Sequence, residues 1–370
     1  MKTTKAFFFL ALLFIAGSIS AYAEGAQEVI DIIREASQPA PSGGGTPAPT
    51  PAPTPAPTPA PSSGGPATWT AVSNSRFGTS YISAIAYGGN RFVAGGYEGK
   101  MAYSADGATW TAVSNSRFGT TEITAIAYGG NRFVAVGYEG KMAYSADGAA
   151  WTAVSNSRFD NSRITAIAYG NNRFVAVGYN GKIAYSADGV SWTAVSNSTF
   201  GDSEISCIAY SGNRFVAVGE QGKIAYSADG ASWTAVSAAN RRVWEYYWED
   251  GGRNVPIDIR RIAYGNNRFV AGGWPGKIAY SADGVTWTAA NSGGVIDGMY
   301  IMALAWGNNR FVAVNGEWDY FRGMAYSVDG AAWTRVTSNA LGGFHITAIA
   351  YGNGRFVAGG AGGKMAYADW

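Results

Sequence analysis

A unit of about forty residues recurs along most of the chain, and this period constrains the fold more than any other feature of the sequence. A Trp-Thr pair marks each unit, and successive tryptophans lie 41, 41, 41, 41, 54 and 46 residues apart: Trp69, Trp110, Trp151, Trp192, Trp233, Trp287 and Trp333. A fixed period of this size, built from short strands, is typical of a closed radial array of sheets. The sequence therefore predicts an all-β, seven-bladed β-propeller over residues 67–370.

Each unit divides into four segments of strand length that are separated by turn signals. In the first unit they are residues 81–87 (strand a), 91–96 (strand b), 100–104 (strand c) and 110–114 (strand d). Gly, Asn and Asp occupy the connections. Strand a is almost uncharged, as expected for an innermost strand that is covered on both faces. Four short antiparallel strands in each unit are typical of a propeller blade.

The distribution of strands along the chain predicts how the ring closes. Strands a, b and c occur seven times, the last set being residues 346–351, 355–360 and 364–367, and no strand d follows them. One extra strand d, Trp69–Ser73, precedes the first strand a. We expect this strand to complete the last blade, because the overlap removes the free sheet edge of an open array.

The sequence of residues 1–66 predicts that the protein is exported and that its propeller is carried on a tether. Residues 1–23 combine two lysines, an apolar stretch that is short for a membrane span, and an Ala21-Tyr22-Ala23 cleavage site, which is the pattern of a signal peptide. Residues 24–38 form a short segment with a helical pattern, and residues 39–66 form a Pro/Ala/Thr/Gly/Ser-rich linker that favours a semi-rigid spacer. We expect a secreted, periplasmic or cell-surface bacterial protein that has no membrane insertion after cleavage.

Charge and the scarcity of metal-binding residues exclude several classes of function. Without Lys2 and Lys5 the acidic and basic side chains are equal in number, and the absence of a basic stripe argues against nucleic acid as partner. Cys207 and His345 are the only residues of their types, so an internal disulfide is impossible and a zinc site is essentially excluded. No metal, cofactor or oligomer is predicted. We expect Cys207 to be a buried structural thiol.

The turn between strands c and d recurs in six units. It reads Ser104-Ala105-Asp106-Gly107-Ala108-Thr109-Trp110 in the first unit and keeps Ser, Asp, Gly and Trp in the other five. It resembles the Asp-box, or BNR, repeat of secreted bacterial propellers of the WD40/YVTN/BNR type, although the usual box has one more residue between Asp and Gly. The resemblance covers residues 68–370 and implies a propeller. It implies no single function, because that group includes sialidases, xyloglucan-degrading enzymes, sortilin-type receptors and assembly factors of photosynthetic membranes.

The box residues are expected to hold the turn rather than to contact a ligand. Asp accepts backbone N–H groups of its own turn, Gly supplies a backbone conformation that other residues resist, and Trp fills a gap between adjacent sheets. One further box is expected across the closure, from Asp369 and Trp69. The predicted structural set is Asp106, Asp147, Asp188, Asp229, Asp283, Asp329, Asp369, Trp69, Trp110, Trp151, Trp192, Trp233, Trp287 and Trp333.

The units differ mainly in two connections. The d–a connections (for example 78–81, 119–122, 160–163 and 201–204) and the b–c turns vary, whereas the a–b and c–d turns hardly change. In an up-and-down blade the d–a and b–c connections emerge on the same face. Two insertions, residues 238–256 and 317–322, also fall in these connections. The sequence thus predicts that the diversity collects on one face.

The insertions carry many aromatic and charged side chains, which are typical of recognition surfaces on rigid scaffolds. The alternative is that these rings only pack on one another. We expect a surface that binds a protein or a glycan and that loses its ligand when Trp244, Tyr247 and Trp318 are replaced by Ala. The predicted binding residues are Arg241, Trp244, Tyr246, Tyr247, Trp248, Trp274, Glu317, Trp318, Tyr320, Phe321 and Arg322.

Two other functions remain open beside non-enzymatic binding. A glycoside hydrolase or sialidase-like enzyme needs paired carboxylates, for which Glu245, Glu249, Asp250, Glu317 and Asp319 are candidates. No Arg-Ile-Pro opening motif occurs, and no catalytic residue can be assigned. The arginines of the repeat recur at one position, which indicates a structural role: Arg91, Arg132, Arg173 and Arg214. The second alternative is an assembly scaffold that has no single ligand.

Overall fold

Seven four-stranded antiparallel sheets form a closed ring, so the predicted seven-bladed β-propeller is confirmed. The computed structural model describes residues 68–248, 253–296, 298, 300–317, 320–336 and 344–370. The predicted signal peptide, short segment and linker lie outside the described residues. Within the described ranges, no helix has the length and apolar character that crossing a bilayer requires.

Each blade runs from an innermost strand a to a short outer strand d. Strands a are Ile82–Gly88, Ile123–Gly129, Ile164–Gly170, Ile205–Tyr210, Ile259–Gly265, Tyr300–Gly307 and Ile346–Gly352. Strands b are Arg91–Gly96, Arg132–Gly137, Arg173–Gly178, Phe215–Gly219, Arg268–Gly273, Arg310–Glu317 and Arg355–Gly360. Strands c are Met101–Ser104, Met142–Ser145, Ile183–Ser186, Ile224–Ser227, Ile278–Ser281, Tyr320–Ser327 and Met365–Asp369. Strands d are Thr111–Ala112, Thr152–Ala153, Thr193–Ala194, Thr234–Ala235, Thr288–Ala289, Thr334–Arg335 and Thr70–Ala71.

Short 3-10 turns join strands b and c in five blades: Tyr97–Gly99, Tyr138–Gly140, Tyr179–Gly181, Glu220–Gly222 and Ala361–Gly363. The 238–256 insertion contains a 3-10 segment, Ala239–Trp244, and a hairpin of Glu245–Trp248 with Arg253–Pro256. Strand d is shorter than the sequence predicts. In the second d–a connection, the Asn115 Oδ1 accepts the Arg117 N–H and turns the chain away from the sheet.

The N-terminal strand completes the last blade, as the strand count predicts. Thr70 lies opposite Tyr367 and Ala71 opposite Ala366, so blade 7 combines one strand from the start of the ring with three from its end. The innermost strands of blades 7 and 1 are also neighbours. A Cβ at Gly352 would lie 2.0 Å from the Tyr87 ring, which shows how closely the two blades approach. The ring therefore has no unpaired blade.

The core is divided among seven clusters, one at each interface between adjacent blades. Each cluster contains one of the seven repeated tryptophans. Trp151, for example, packs on Val93 and Met101 of blade 1 and on Phe118 and Ile123 of blade 2. The repeated tryptophans thus lie between adjacent sheets. Burial of these apolar surfaces supplies the main driving force for ring assembly.

The c–d turns are held by the contacts expected of the box. The Asp147 Oδ1 accepts the backbone N–H groups of Ala149 and Ala150 at 2.9 and 3.0 Å, and the Ser145 hydroxyl donates to the same oxygen. The Trp151 indole N–H donates to the Gly148 carbonyl at 3.0 Å. The same pattern holds in the other five c–d turns. These residues therefore stabilise the turn from within.

The closing blade differs from the expected box. The Asp369 Oδ1 lies 2.9 Å from the Arg355 Nε, and no hydrogen bond joins it to Trp69 among the described residues. Trp69 is buried like the other tryptophans, but its indole N–H has no partner in the described part of the chain. Ala368 and Trp370 stand where the other turns have Ser and Asp, so the side chains that hold those turns are missing here, and Asp369 lies one position too early to replace them. The closure keeps the packing of the box without its hydrogen bonds.

The repeated arginines of strand b are structural, as their identical spacing indicates. Each guanidinium lies over the tyrosine of strand c in its own blade, at 5.1 Å in the case of Arg173 and Tyr185. The Arg173 Nη1 also donates to the Asp229 carbonyl in the c–d turn of the next blade, at 2.6 Å. We call the side of the ring that carries the a–b and c–d turns the constant rim.

Candidate functional site

The d–a connections and b–c turns lie together on the opposite side of the ring, which we call the variable rim. The Tyr97 N–H donates to the Tyr81 carbonyl at 3.0 Å and so joins a b–c turn to the d–a connection of its own blade. In the insertion before blade 5, the Arg241 Nη1 approaches the Gln221 and Gly222 carbonyls of the blade 4 turn at 3.4 and 3.3 Å. The predicted sharing of one face by these connections is confirmed for the described residues.

A cavity of about 830 Å³ lies on the ring axis and is lined by residues of all seven innermost strands. The residue just before or at the start of strand a lines its mouth on the variable rim in six blades: Tyr81, Glu122, Arg163, Glu204, Tyr300 and His345. Asp258 holds the equivalent position in blade 5. The next lining position is mostly small and polar, with Ser83, Thr124 and Thr165 in the first three blades. The side chains of the seven blades therefore differ most in chemistry at the mouth of the cavity.

Three consecutive blades place an exposed tyrosine beside this mouth. Tyr97, Tyr138 and Tyr179 open the b–c turns of blades 1, 2 and 3, and they are 44, 37 and 38% exposed. We call these three residues the tyrosine arc. The residue after each tyrosine has a positive φ, as in Glu98 at +57°, which turns the chain sharply and leaves the ring at the surface. Tyr81 stacks on Tyr97, with their ring centroids 5.2 Å apart.

Arg163 lies within the arc. Its guanidinium carbon is 4.4 Å from the Tyr138 ring centroid and 5.6 Å from that of Tyr179, and its Nη1 approaches the Tyr179 hydroxyl at 3.3 Å. A guanidinium over an aromatic face is attracted by the ring quadrupole. Among the described residues no carboxylate lies within ion-pair distance of Arg163. The two tyrosines therefore supply the direct contacts of Arg163 in place of an ion pair.

Two carboxylates flank Arg163 around the mouth. Burial raises the pKa of Glu122, and the Arg163 charge and the Ser83 hydroxyl offset this only in part. Burial likewise raises the pKa of Glu204, against the charges of Arg260 and Arg163. Both groups are thus partly desolvated carboxylates that share the influence of Arg163, and Glu204 is also influenced by Arg260. Such groups are common where a protein contacts a ligand.

Other carboxylates of the variable rim already have a cation. Glu98 and Glu139 each lie 2.9 Å from the lysine that follows the turn, Lys100 and Lys141. The hydrogen bond from that lysine is the main cause that lowers the pKa of each glutamate. These pairs are largely exposed, so they contribute little to stability. They serve as a contrast to Glu122, which has no such lysine among the described residues.

Blade 5 brings two arginines to the axial cavity. Arg260 pairs with Asp258 at 3.0 Å, and the Arg261 Nε donates to the Met302 carbonyl at 2.6 Å. Arg261 stands at a position that is Ala in five other blades and Cys207 in blade 4. Cys207 was expected to be buried. It is only half-buried, because its strand lines the open cavity. Its Sγ faces the Ile262 carbonyl at 3.9 Å.

Trp244 does not belong to an exposed surface. It is 1% exposed and packs edge-on against Trp287, with ring centroids 6.0 Å apart. The 3-10 segment folds the ring inward over the interface of blades 4 and 5, where apolar area is removed from water. The burial of Trp244 contradicts its place on an exposed recognition surface, and we expect its replacement by Ala to destabilise the fold. Arg241 is half-buried and contacts carbonyls of the neighbouring turn.

The remaining predicted site residues lie partly inside and partly outside the described structure. Trp274 is half-buried in the b–c turn of blade 5, and its ring centroid lies 6.4 Å from that of Tyr300 at the mouth. The predictions on Trp318, Glu249, Asp250 and Asp319 fall outside the described residues. Those on six further residues rest on side chains outside the described part of the structure: Tyr246, Tyr247, Trp248, Tyr320, Phe321 and Arg322. Glu317 belongs to the same group, so these predictions and the hydrolase alternative stay predictions.

The tyrosine arc and its charged neighbours were missed as binding residues by the sequence argument. Aromatic residues are most concentrated in the insertions, which therefore looked more like a binding surface than the other variable positions. The missing signal is the first position of strand a, which reads Tyr81, Glu122 and Arg163 in the first three units while the following Ile is unchanged. A position that varies beside an invariant one indicates a side chain that the fold does not require.

The comparisons with known proteins agree on the fold. Residues 58–163 match the family model of the DUF6242 beta propeller domain. No curated protein matches the sequence. The structure of YCF48 bound to D1 peptide is similar at a TM-score of 0.63 and 15% identity, and the match covers 84% of this chain and 99% of that one. YCF48 from Cyanidioschyzon merolae gives 0.59 and 16%, with 81 and 98% covered.

A WD40 domain gives a similar result. The WD40 beta propeller domain of Doa1 has a TM-score of 0.60 at 9% identity, covering 81% of this chain and 96% of that one. At these identities the likeness establishes a shared propeller fold and nothing finer. The family match covers only the first part of the ring. The Asp-box, or BNR, assignment therefore stays a prediction, although the turns make the contacts that such a box implies.

Proposed function

We propose that the chain is a non-enzymatic recognition propeller that binds an extended segment of a partner protein at the cavity mouth on the variable rim. The tyrosine arc is the observation that carries this proposal. Tyr97, Tyr138 and Tyr179 offer three exposed rings in a row beside Arg163, along the edge of an 830 Å³ cavity. Tyrosine supplies a large and rigid contact area at low entropic cost, which is why it is common in binding surfaces.

A protein segment fits this arc better than the other ligand considered, a glycan. Successive rings and carbonyls around the mouth suit an extended chain, whose side chains and amides alternate along its length. One structure with a similar fold is that of YCF48 bound to D1 peptide, so a peptide is the ligand of that propeller. We transfer this class of ligand to the present chain as part of the proposal.

The N-terminal residues support a further part of the proposal, that the protein is exported from the cytoplasm. The pattern of residues 1–23 supports export by a cleaved signal peptide, and the proline-rich residues 39–66 support a tether. A propeller displayed at the end of a stiff spacer meets partners outside the cytoplasm. Expression of the full chain in a bacterial host, followed by mass determination of the exported product, tests cleavage after Ala23. A product that retains residues 1–23 would contradict export by a cleaved signal.

The binding proposal is tested by selecting peptides on the full-length chain from a random display library. The variant Y97A/Y138A/Y179A removes the arc, and the variant T111A/T152A/T193A removes three exposed strand d side chains from the same blades as a matched control. We expect enriched peptides to bind the wild type and the control equally and the arc variant at least tenfold more weakly, at similar Tm values. Equal binding to all three proteins, or no enrichment, would overturn the proposal.

A glycan array on the same three proteins distinguishes the other recognition function. Capture of a glycan that is lost with the arc variant would reassign the site to a carbohydrate ligand. Hydrolysis of a chromogenic glycoside, lost on Glu249→Gln or Glu317→Gln, would instead favour the enzyme. We expect neither result.

A further inference from the structure

One cation of the chain itself, the Arg163 guanidinium, lies between two rings of the tyrosine arc. The Arg163 guanidinium occupies the gap between the tyrosines of blades 2 and 3, at 4.4 Å from Tyr138 and 5.6 Å from Tyr179. It comes from the position just before strand a of blade 3. The backbone at this position is the same in each of these blades, because the tyrosine N–H donates to its carbonyl throughout. The gap between two consecutive tyrosines therefore has the size and chemistry for a guanidinium.

The equivalent gap one blade earlier holds a carboxylate. Tyr97 and Tyr138 border it, and Glu122 takes the place that Arg163 has in the next blade. Burial raises the pKa of both tyrosines, and the Glu122 charge raises each of them further, so the carboxylate acts on both rings. In blade 4 the arrangement ends, because the b–c turn begins with Glu220 rather than with tyrosine. Among the described blades, the gap between Tyr97 and Tyr138 therefore brings two rings of the tyrosine arc together with the Glu122 carboxylate.

Glu122 lacks the ion pair that its neighbours on the rim have. Glu98, Glu139 and Asp160 each lie within 2.9 Å of a lysine Nζ, whereas no such pair involves Glu122 in the described ranges. A partly buried carboxylate without an ion pair costs free energy, and a partner that brings a cation into direct contact relieves that cost on binding. The Arg163 charge acts on Glu122 and on a second carboxylate, Glu204, but only Glu204 has the charge of Arg260 in addition.

We propose that the gap bordered by Tyr97 and Tyr138 and closed by Glu122 binds the side chain of an arginine carried by the partner protein. This inference rests on the proposed function and names the group that the rim recognises. The guanidinium would stack on the two rings as Arg163 does and donate to the Glu122 carboxylate. We call this place the Glu122 gap. The arginine of the partner would thus make in this gap the contacts that Arg163 makes between Tyr138 and Tyr179.

A small-molecule titration tests the Glu122 gap directly. The probes are N-acetylarginine amide and its neutral analogue N-acetylcitrulline amide, added to the full-length chain with ring-labelled tyrosine and followed by NMR. We expect saturable shifts of the Tyr97 and Tyr138 signals with the arginine probe and at least tenfold weaker effects with the citrulline probe. Equal responses to the two probes, or no response at either tyrosine, would overturn the inference.

Two substitutions and one control sharpen the test. Glu122→Gln removes the charge, and Glu122→Arg places a guanidinium in the gap as blade 3 does, so both should abolish saturation by the arginine probe. Glu98→Gln is the matched control, because that carboxylate lies on the same rim and already pairs with Lys100. It should bind the probe as the wild type does. Unchanged binding by both Glu122 variants would contradict the assignment, and circular dichroism with Tm checks that each variant is folded.

The display-selected peptides separate this inference from the proposed function. If the peptides require the tyrosine arc but tolerate replacement of their arginines by citrulline, the Glu122 gap is wrong and the recognition function stands. If the arginine probe binds but no peptide is enriched, the gap is supported and the recognition function fails. Agreement requires that citrulline in the peptide and Glu122→Gln in the protein each weaken binding at least tenfold, with little further loss when the two are combined.

Discussion

The two rims of the ring are made by the same seven units but differ in which side chains recur. On the constant rim, Ser145, Asp147 and Trp151 have counterparts in five other turns that make the same hydrogen bonds. On the variable rim, the N–H of each arc tyrosine donates to the residue before strand a at 3.0–3.1 Å, whether that residue is Tyr81, Glu122 or Arg163. The fold needs only the backbone there, which leaves the side chain available for a ligand.

The rims also place carboxylates in opposite environments. The N–H groups of Ala150 and Ala149 lower the pKa of Asp147, so its ionised form stabilises the folded chain. Burial raises the pKa of Glu122, so its ionised form destabilises the folded chain. A stabilising carboxylate belongs to the scaffold, and a destabilising one that persists on a surface is typical of binding sites.

The largest expected effect is on the constant rim. Trp192→Ala removes a ring that is 3% exposed between blades 2 and 3, together with its hydrogen bond to Gly189. We expect a loss of about 3–5 kcal/mol in the free energy of unfolding, measured by urea denaturation. Thr193→Ala, at the exposed neighbouring position, is the control. A loss below about 1 kcal/mol for Trp192→Ala would show that the tryptophans do not hold the blades together.

A smaller loss is expected where adjacent blades approach most closely. The Cβ of Gly129→Ala would lie 2.0 Å from the Cγ of Tyr169 in the next blade, so the ring must shift. We expect about 1–3 kcal/mol of destabilisation by the same denaturation experiment, as for other overpacked sites. Thr152→Ala in the same blade is the comparison. An unchanged midpoint for Gly129→Ala would mean that the blades are more loosely packed than the distance indicates.

The third prediction uses pH to separate the rims. Asp147 ionises below its usual 3.8, so its stabilisation is present above that value and is lost as pH falls through the folded-state pKa. Asp147→Asn should therefore lower Tm at neutral pH and by less in acid. The pKa of Glu122 is raised above its usual 4.5, so the protonated carboxyl favours the folded chain. This stabilisation is present below pH 4.5 and is lost as pH rises through the folded-state pKa. Glu122→Gln should raise Tm at neutral pH and leave it unchanged in acid. Shifts of the same sign at neutral pH would remove the distinction.

The smallest expected effect is on the variable rim. Tyr97→Ala changes a ring that is 44% exposed and makes no core contact among the described residues. We expect a change within about 0.5 kcal/mol in the free energy of unfolding. A loss comparable to that of Trp192→Ala would assign Tyr97 to the scaffold and weaken the case for a binding surface.

The fold was predictable because the determinants of each blade recur in every unit. The Trp spacing, the strand lengths and the extra strand at Thr70–Ala71 are visible in the sequence and led to the correct blade number and closure. The site was less predictable, because exposure depends on how an insertion folds. Trp244 lies in a segment that looks like a loop, yet a 3-10 turn directs it into the core. The gathering of Tyr138 and Arg163 from different blades requires the ring itself.

Hydrogen–deuterium exchange on the full-length chain, with and without a display-selected peptide, tests most directly whether recognition belongs to the variable rim. The account predicts added protection in residues 97–99 and 138–140 and at the mouth residues 122 and 163, with none in the c–d turns 104–110 and 145–151. Protection confined to those c–d turns, or to the 238–256 insertion alone, would contradict it.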